Sequence, residues 1–161
     1  MKSYLISKNI PESKVFVTGI PISSRFLKSY NKKEILKEFN LEENKKTILF
    51  FAGGEFGLGK NRTLQIFEDL IKNFENIQVI AIAGKNEKMK LHFESIVKEA
   101  NKEKNVRVLE FTNKVPELMS ISNLVISKPG GLTTSESLAS NLPMIIICLL
   151  YTSPSPRDPK T

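Results

Sequence analysis

Cysteine and histidine are almost absent from this chain, and tryptophan is missing. Its 161 residues include one cysteine, Cys148, and one histidine, His92. A lone cysteine excludes an internal disulfide framework and a multi-cysteine zinc site, and it makes a reducing, cytoplasmic setting the default. A Ser-His-Asp triad would have to pass through His92, which lies between Leu91 and Phe93 in a helical stretch and reads as a surface or satisfied histidine. Long apolar runs are missing too. The strongest, Pro143 to Tyr151, is about half the ~18 residues that a membrane-spanning helix requires. Acids are outnumbered, 17 against 24 Lys and Arg, for a formal charge of +7. The first fifty residues carry much of that excess, with ten basic residues against five acids. Lysine exceeds arginine twenty to four, and aromatics are not interleaved with the basic residues, so no nucleic-acid partner is expected. A basic amino-terminal third is compatible with an anionic membrane surface.

What the chain does have is a repeated alternation. Short runs of branched residues end in glycine, proline or a polar residue at 47–52, 78–83 and 123–127, with two more at 106–109 and 144–147. Between them lie helical periods. Leu64, Phe67, Ile71 and Phe74 share one face, and Met89, Phe93, Ile96 with Val97, and Ala100 share another. A short helix is expected over 32–39, and a short strand at 15–17 before the Gly19-Ile20-Pro21 turn. Continuous apolar strands alternating with amphipathic helices imply an α/β fold: a Rossmann-like, doubly wound parallel sheet. The nucleotide-binding unit is expected to span 1–148. Residues 149–161, with three prolines in six positions and no period, read as a tail foreign to that domain, disordered or of artefactual origin.

Ligands of open parallel sheets bind at the carboxyl ends of the strands. Glycines gather there: Gly53, Gly54, Gly57 and Gly59 after the first strand, Gly84 after the second, Gly130 and Gly131 after the fourth. Such turns let the backbone approach an anion and aim helix amino ends at it. Residues 54–61 nearly spell a phosphate-binding P-loop, but Asn61 stands where a Ser or Thr would hold magnesium. The dinucleotide fingerprint G-x-G-x-x-G is absent. The most informative segment is Ser127-Lys128-Pro129-Gly130-Gly131-Leu132-Thr133-Thr134-Ser135-Glu136. It reads as a strand end, a glycine turn and a helix opened by Thr133 or Thr134. Glu136 lies inside that helix, where a carboxylate can accept two hydrogen bonds from a ribose diol.

That segment, with Leu142-Pro143-Met144-Ile145 after it, resembles the C-terminal half of family 28 glycosyltransferases. It is most like the processive diacylglycerol glucosyltransferases and monogalactosyldiacylglycerol synthases. Val17-Thr18-Gly19-Ile20-Pro21-Ile22, Phe51-Ala52-Gly53-Gly54, Ala83-Gly84-Lys85-Asn86 and Val108-Leu109-Glu110-Phe111 follow in the same order. The resemblance implies a GT-B enzyme of two domains, of which residues 1–30 are the interdomain segment. It implies a UDP-sugar donor, no cofactor and no bound metal.

By resemblance, Glu136 holds the ribose hydroxyls, and Gly130, Gly131, Leu132 and Thr133 face the diphosphate. Phe111, Thr112 and Val115 frame the uracil, while Gly84 and Asn86 complete the site. Gly53 and Gly54 lie near the diphosphate and the incoming acceptor. No catalytic base is expected in this chain; that group and the lipid-acceptor groove belong to the amino-terminal domain of such enzymes. The implied reaction is hexosyl transfer to diacylglycerol or a glycosyldiacylglycerol, by a parent enzyme peripheral on the inner face of the cell membrane. Two alternatives stand beside it: a fragment of the N-acetylglucosaminyltransferase of peptidoglycan lipid assembly, or a non-catalytic nucleotide-binding subunit of a split transferase. One departure concerns Ser23, which follows Ile22 where some relatives carry arginine, with Arg25 two positions on.

Overall fold

The structure is a computed structural model that describes residues 2–52 and 60–147. Gly53, Gly54 and the 149–161 tail lie outside those residues. Five strands, β1 (Lys46–Phe51), β2 (Ile77–Ile82), β3 (Val106–Leu109), β4 (Leu124–Ser127) and β5 (Met144–Ile146), form one sheet in the order β3-β2-β1-β4-β5. Every pairing is parallel, with Ile48 level with Val79 and Leu124, and Val125 level with Met144. The helices are α1 (Lys2–Ser7), α2 (Lys32–Glu38), α3 (Lys60–Asn73), α4 (Glu87–Glu99), α5 (Val115–Ile121) and α6 (Gly131–Ala139). Two 3-10 turns, Glu12–Lys14 and Ser24–Leu27, lie between α1 and α2.

Alternation along the strands divides the core into two layers. Ile48, Phe50, Val79 and Ala81 point to one face and pack against Phe67 and Ile71 of α3 and Phe93 and Val97 of α4. Leu49, Ile80, Ile82 and Val125 point to the other, against Ile35 of α2, Leu118 and Met119 of α5, and Leu142 after α6. Three rings anchor the first layer. Phe67 and Phe93 have centroids 4.3 Å apart, and Phe50 stands 5.5 and 5.9 Å from them. A polar residue interrupts β2 because it is fully engaged. Buried Gln78 accepts from the Glu42 N–H at 2.9 Å, and its amide donates to the Glu42 carbonyl and to Thr47 Oγ1.

Several expectations shift. Residues 15–17 form no strand; Val15 has extended backbone, but Phe16 is 81% exposed. The five-stranded sheet does not include this segment. Phe74 falls beyond the end of α3 and is exposed. Helix α5, not anticipated, carries Pro116 in its first turn and buries Leu118, Met119 and Ile121. His92 is half-buried on α4, its Nδ1 against the Lys88 carbonyl, so it is a histidine with a local backbone partner.

Candidate functional site

From β1 the chain steps to β2 and β3 on one side of the sheet and then returns to β4 on the other, so strand order reverses at the β1–β4 boundary. A crevice opens at such a point. Here it is a cavity of about 840 Å³ above the carboxyl ends of four strands, reached by Phe51, residues 82–88, Phe111, Thr112, Val115, Ser127, Lys128 and Thr133.

Each wall is shaped locally. Gly84 turns the chain from β2 into α4 with φ +70°, a left-handed value that costs other residues roughly 1–2 kcal/mol. Asn86 then caps α4, its Oδ1 accepting the Met89 N–H at 3.0 Å. Thr112 performs a similar task after β3, its Oγ1 accepting the Lys114 N–H at 3.1 Å ahead of α5. Both line the cavity with side-chain oxygens already engaged in shaping it. The Lys90–Glu110 ion pair, 2.7 Å, ties α4 to the loop after β3.

Helix α6 begins two residues earlier than the Thr133/Thr134 opening expected from sequence. Gly130 is its cap, and among the described residues no side chain bonds its first N–H groups. The N–H groups of Gly131, Leu132 and Thr133 therefore lack intrahelical acceptors at the positive end of the helix dipole. Gly131 is packed from above: a Cβ there would meet Ile20 Cδ1 at 3.1 Å, so the Gly19-Ile20-Pro21 turn sits on the head of α6. One turn further in, Glu136 is half-buried, and among the described residues its carboxylate has no hydrogen-bond or ion-pair partner. Desolvation holds its carboxyl above the usual glutamate range.

Of the residues singled out from sequence, Gly84, Asn86, Phe111, Thr112, Val115 and Thr133 line one cavity. Gly130, Gly131 and Leu132 lie at the head of α6 directly before Thr133, and Glu136 follows; none of these four contributes to the lining itself. Phe111 is 67% exposed, so its ring belongs to the cavity mouth and not to the core. Arg25 does not line the cavity. Its guanidinium donates to Glu117 Oε1 at 2.7 Å, which raises its pKa further, and binds the Ser24–Leu27 turn to α5. Sequence reasoning passed over Phe51, Ser127, Lys85, Lys88 and Lys128 as site residues. Ser127 is 2% exposed, and among the described residues its hydroxyl makes no hydrogen bond. Lys85, Lys88 and Lys128 have no carboxylate partner among the described residues, and Glu87 is the only acid in the lining. A cavity lined by three lysines that have no carboxylate partner among the described residues, beside a helix head without a side-chain cap, suits a polyanion.

Comparison with known proteins agrees in several ways. The model of the glycosyltransferase family 28 C-terminal domain matches residues 47–154. A processive diacylglycerol beta-glucosyltransferase of Staphylococcus saprophyticus is 38% identical over 147 residues, which cover 91% of this chain but 36% of that protein. The chain thus spans little more than a third of the length of the curated relatives it matches. Among solved structures, a UDP-GlcNAc 2-epimerase from Neisseria meningitidis, bound to UDP-GlcNAc, superposes with a TM-score of 0.67 at 23% identity, over 90% of this chain and 41% of that one. Anabaena Alr3699/HepE, in complex with UDP and glucose, gives 0.61 at 16% identity, over 90% and 41%. At such identities these two share the fold alone.

Proposed function

The chain belongs to the glycosyltransferase family 28 C-terminal domains, and from that premise we propose that it is the donor-binding half of an enzyme transferring a hexosyl group from a UDP-sugar to diacylglycerol or a glycosyldiacylglycerol. The observation that carries this reading is, among the described residues, the head of α6 without a side-chain cap beside a cavity lined by three lysines that meet no carboxylate, with Glu136 unpartnered one turn behind. In this reading the diphosphate lies against the N–H groups of Gly131, Leu132 and Thr133. The ribose diol donates to Glu136, and the uracil lies against Phe111 and Val115. As the bond from the sugar to the diphosphate breaks, charge builds on the departing oxygen. Fixed N–H dipoles and ammonium groups stabilise that charge without reorganising. We assign the donor no metal ion. Gly53 and Gly54 keep the role near the diphosphate and acceptor that the resemblance gives them.

The base that activates the acceptor hydroxyl, and the groove for its lipid chains, are assigned to the remainder of the parent enzyme. Relatives 34–38% identical are named diacylglycerol glucosyltransferases, which favours this acceptor class over the peptidoglycan intermediate. A lipid acceptor places the parent enzyme at a membrane surface, and we propose the cytoplasmic face. No helix among the described residues is long and apolar enough to cross a bilayer.

The test is a comparison of UDP with 2′-deoxy-UDP. Wild type is expected to prefer the ribonucleotide, and Glu136→Ala to lose that preference. A preference that survives in Glu136→Ala removes the diol role.

A further inference from the structure

The net charge of this chain is gathered at one end. Residues 1–33 hold seven Lys and Arg and a single acid, whereas the rest of the chain is nearly balanced, 17 against 16. That acid, Glu12, is held by Lys2 at 2.9 Å, a pair that ties α1 to the Glu12–Lys14 turn. The Ile10 N–H, donating to the Leu5 carbonyl at 3.3 Å, closes the same small unit. Lys8 and Lys14 are exposed and meet no carboxylate among the described residues; Lys8 lies over the ring of Tyr4, 5.7 Å from its centroid. Apolar side chains are exposed in the same arm: Tyr4, Ile6, Ile10, Phe16 and Val17, the last at 79%. No residue of α1 is buried, and neither layer of the core takes in a side chain before Ile22.

Lysine decides what covers such a surface. Interfaces buried against another protein are depleted in lysine. A bilayer surface takes it readily: apolar side chains enter the headgroup boundary, while long lysine stems leave their charges at the level of the lipid phosphates. Anionic headgroups attract each of those charges. Tyrosine, with an apolar body and a polar tip, suits the same boundary.

We propose that residues 2–17 are a docking surface for an anionic phospholipid bilayer, with Tyr4, Phe16 and Val17 entering the headgroup region and Lys8 and Lys14 facing lipid phosphates. This names a surface for the proposed membrane placement of the parent enzyme and rests on that placement, while the donor site plays no part in it. The arm runs on into the Gly19-Ile20-Pro21 turn at the head of α6, so the lipid contact is made a few residues from the helix assigned to the donor.

The experiment is co-sedimentation of the 161-residue chain, checked for folding by circular dichroism, with vesicles of phosphatidylcholine alone or mixed equally with phosphatidylglycerol. Wild type is compared with two arm variants, Lys8→Glu with Lys14→Glu and Phe16→Ser with Val17→Ser. Lys98→Glu with Lys104→Glu makes the same change in net charge at the end of α4 and in the loop after it. All six side chains are exposed, so these substitutions leave the core intact. Wild type is expected to favour the anionic vesicles by about tenfold or more, and to release them as salt rises. Each arm variant is expected to bind them about tenfold more weakly or worse, and the Lys98 and Lys104 variant to stay within about threefold of wild type. Equal partition onto both vesicle types overturns the proposal, as does a loss in the Lys98 and Lys104 variant as large as in the arm variants. Anionic binding that survives in both arm variants overturns the surface and keeps the membrane placement. A folded chain that binds neither vesicle overturns the surface and leaves the arm to be covered by the rest of the parent enzyme. No nucleotide is present, so each of these failures is separate from a failure of the donor reading.

Discussion

Glu136 connects site chemistry to pH in two opposite directions. Its carboxyl is held above the usual glutamate range because the folded chain desolvates it. The folded state therefore takes up the proton more readily than the unfolded one. The ionised group costs stability above the folded pKa, and that cost is relieved as pH falls towards the unfolded value. Donor binding runs the other way, since ribose hydroxyls donate to the ionised carboxylate. UDP affinity is expected to fall as pH drops through the raised pKa, starting at a higher pH than an ordinary glutamate would give. Glu136→Gln removes both slopes. Subtracting its pH profile from that of wild type separates the carboxylate from titration of the phosphate, and a zero difference contradicts the assignment.

Arg25 gives the complementary case. Its guanidinium is engaged with Glu117, whose second oxygen is buried without a partner. Arg25→Ala is expected to lower the thermal midpoint and to leave UDP affinity within about twofold, as its charge already has a partner. A large loss of UDP affinity would place this arginine at the diphosphate. The pairing joins residues 92 positions apart and involves no local motif, which is why the sequence does not display it.

Helix ends show how much of the fold is locally encoded. Helices α2, α4 and α6 all stop the same way, with an asparagine at positive φ: Asn40, Asn101 and Asn141. In each, the N–H three residues past the last helical residue reaches back five positions, as from Leu41 to the Leu36 carbonyl at 2.8 Å and from Leu142 to the Ser137 carbonyl at 3.0 Å. Asparagine takes the place usually given to glycine in this closing motif. Asn141→Gly is expected to be neutral or stabilising, whereas Asn141→Val is expected to cost about 1–2 kcal/mol by chemical denaturation. Equal stability of the two variants would show that the left-handed turn is not under strain.

Helix α6 is the functional counterpart. It opens on Gly130 with no side-chain cap, although Thr133 and Thr134 suggested a capped start two residues later. Threonines signal a cap wherever they fall near a helix start, but here the glycine turn sets the boundary. Helix α5 escaped sequence reading for a related reason. Its apolar residues Leu118, Met119 and Ile121 are few, and only Pro116 and Glu117 mark its start.

At the scale of the whole molecule, the sheet was legible because strands buried on both faces are continuous runs of branched residues. Their bounds differ by one residue at most from the segments read in sequence. The two-layer packing makes a sharp prediction. Phe67 is fully buried among Phe50 and Phe93, so Phe67→Ala is expected to cost about 3–5 kcal/mol and to weaken nucleotide binding only through unfolding. The site was legible as a set of glycines after the strands; among the described residues Gly84 turns the chain at positive φ, and a Cβ on Gly131 would meet Ile20 Cδ1 at 3.1 Å. The charged and aromatic rim of the site was not legible. That Lys85 meets Phe111, and that Lys88 and Lys128 share the cavity with them, depends on strand order, which no local pattern records. The same order, β3-β2-β1-β4-β5, brings four strand ends to one crevice and so unites residues 51 to 133 in a single site.

The measurement that bears most directly on this account is a calorimetric titration of the folded chain with UDP and, separately, with ADP. The account predicts saturable UDP binding clearly tighter than ADP, with the preference carried by the cavity at the switch point. Equal affinity for the two nucleotides, or no binding by a chain whose circular dichroism shows the α/β fold, would contradict it.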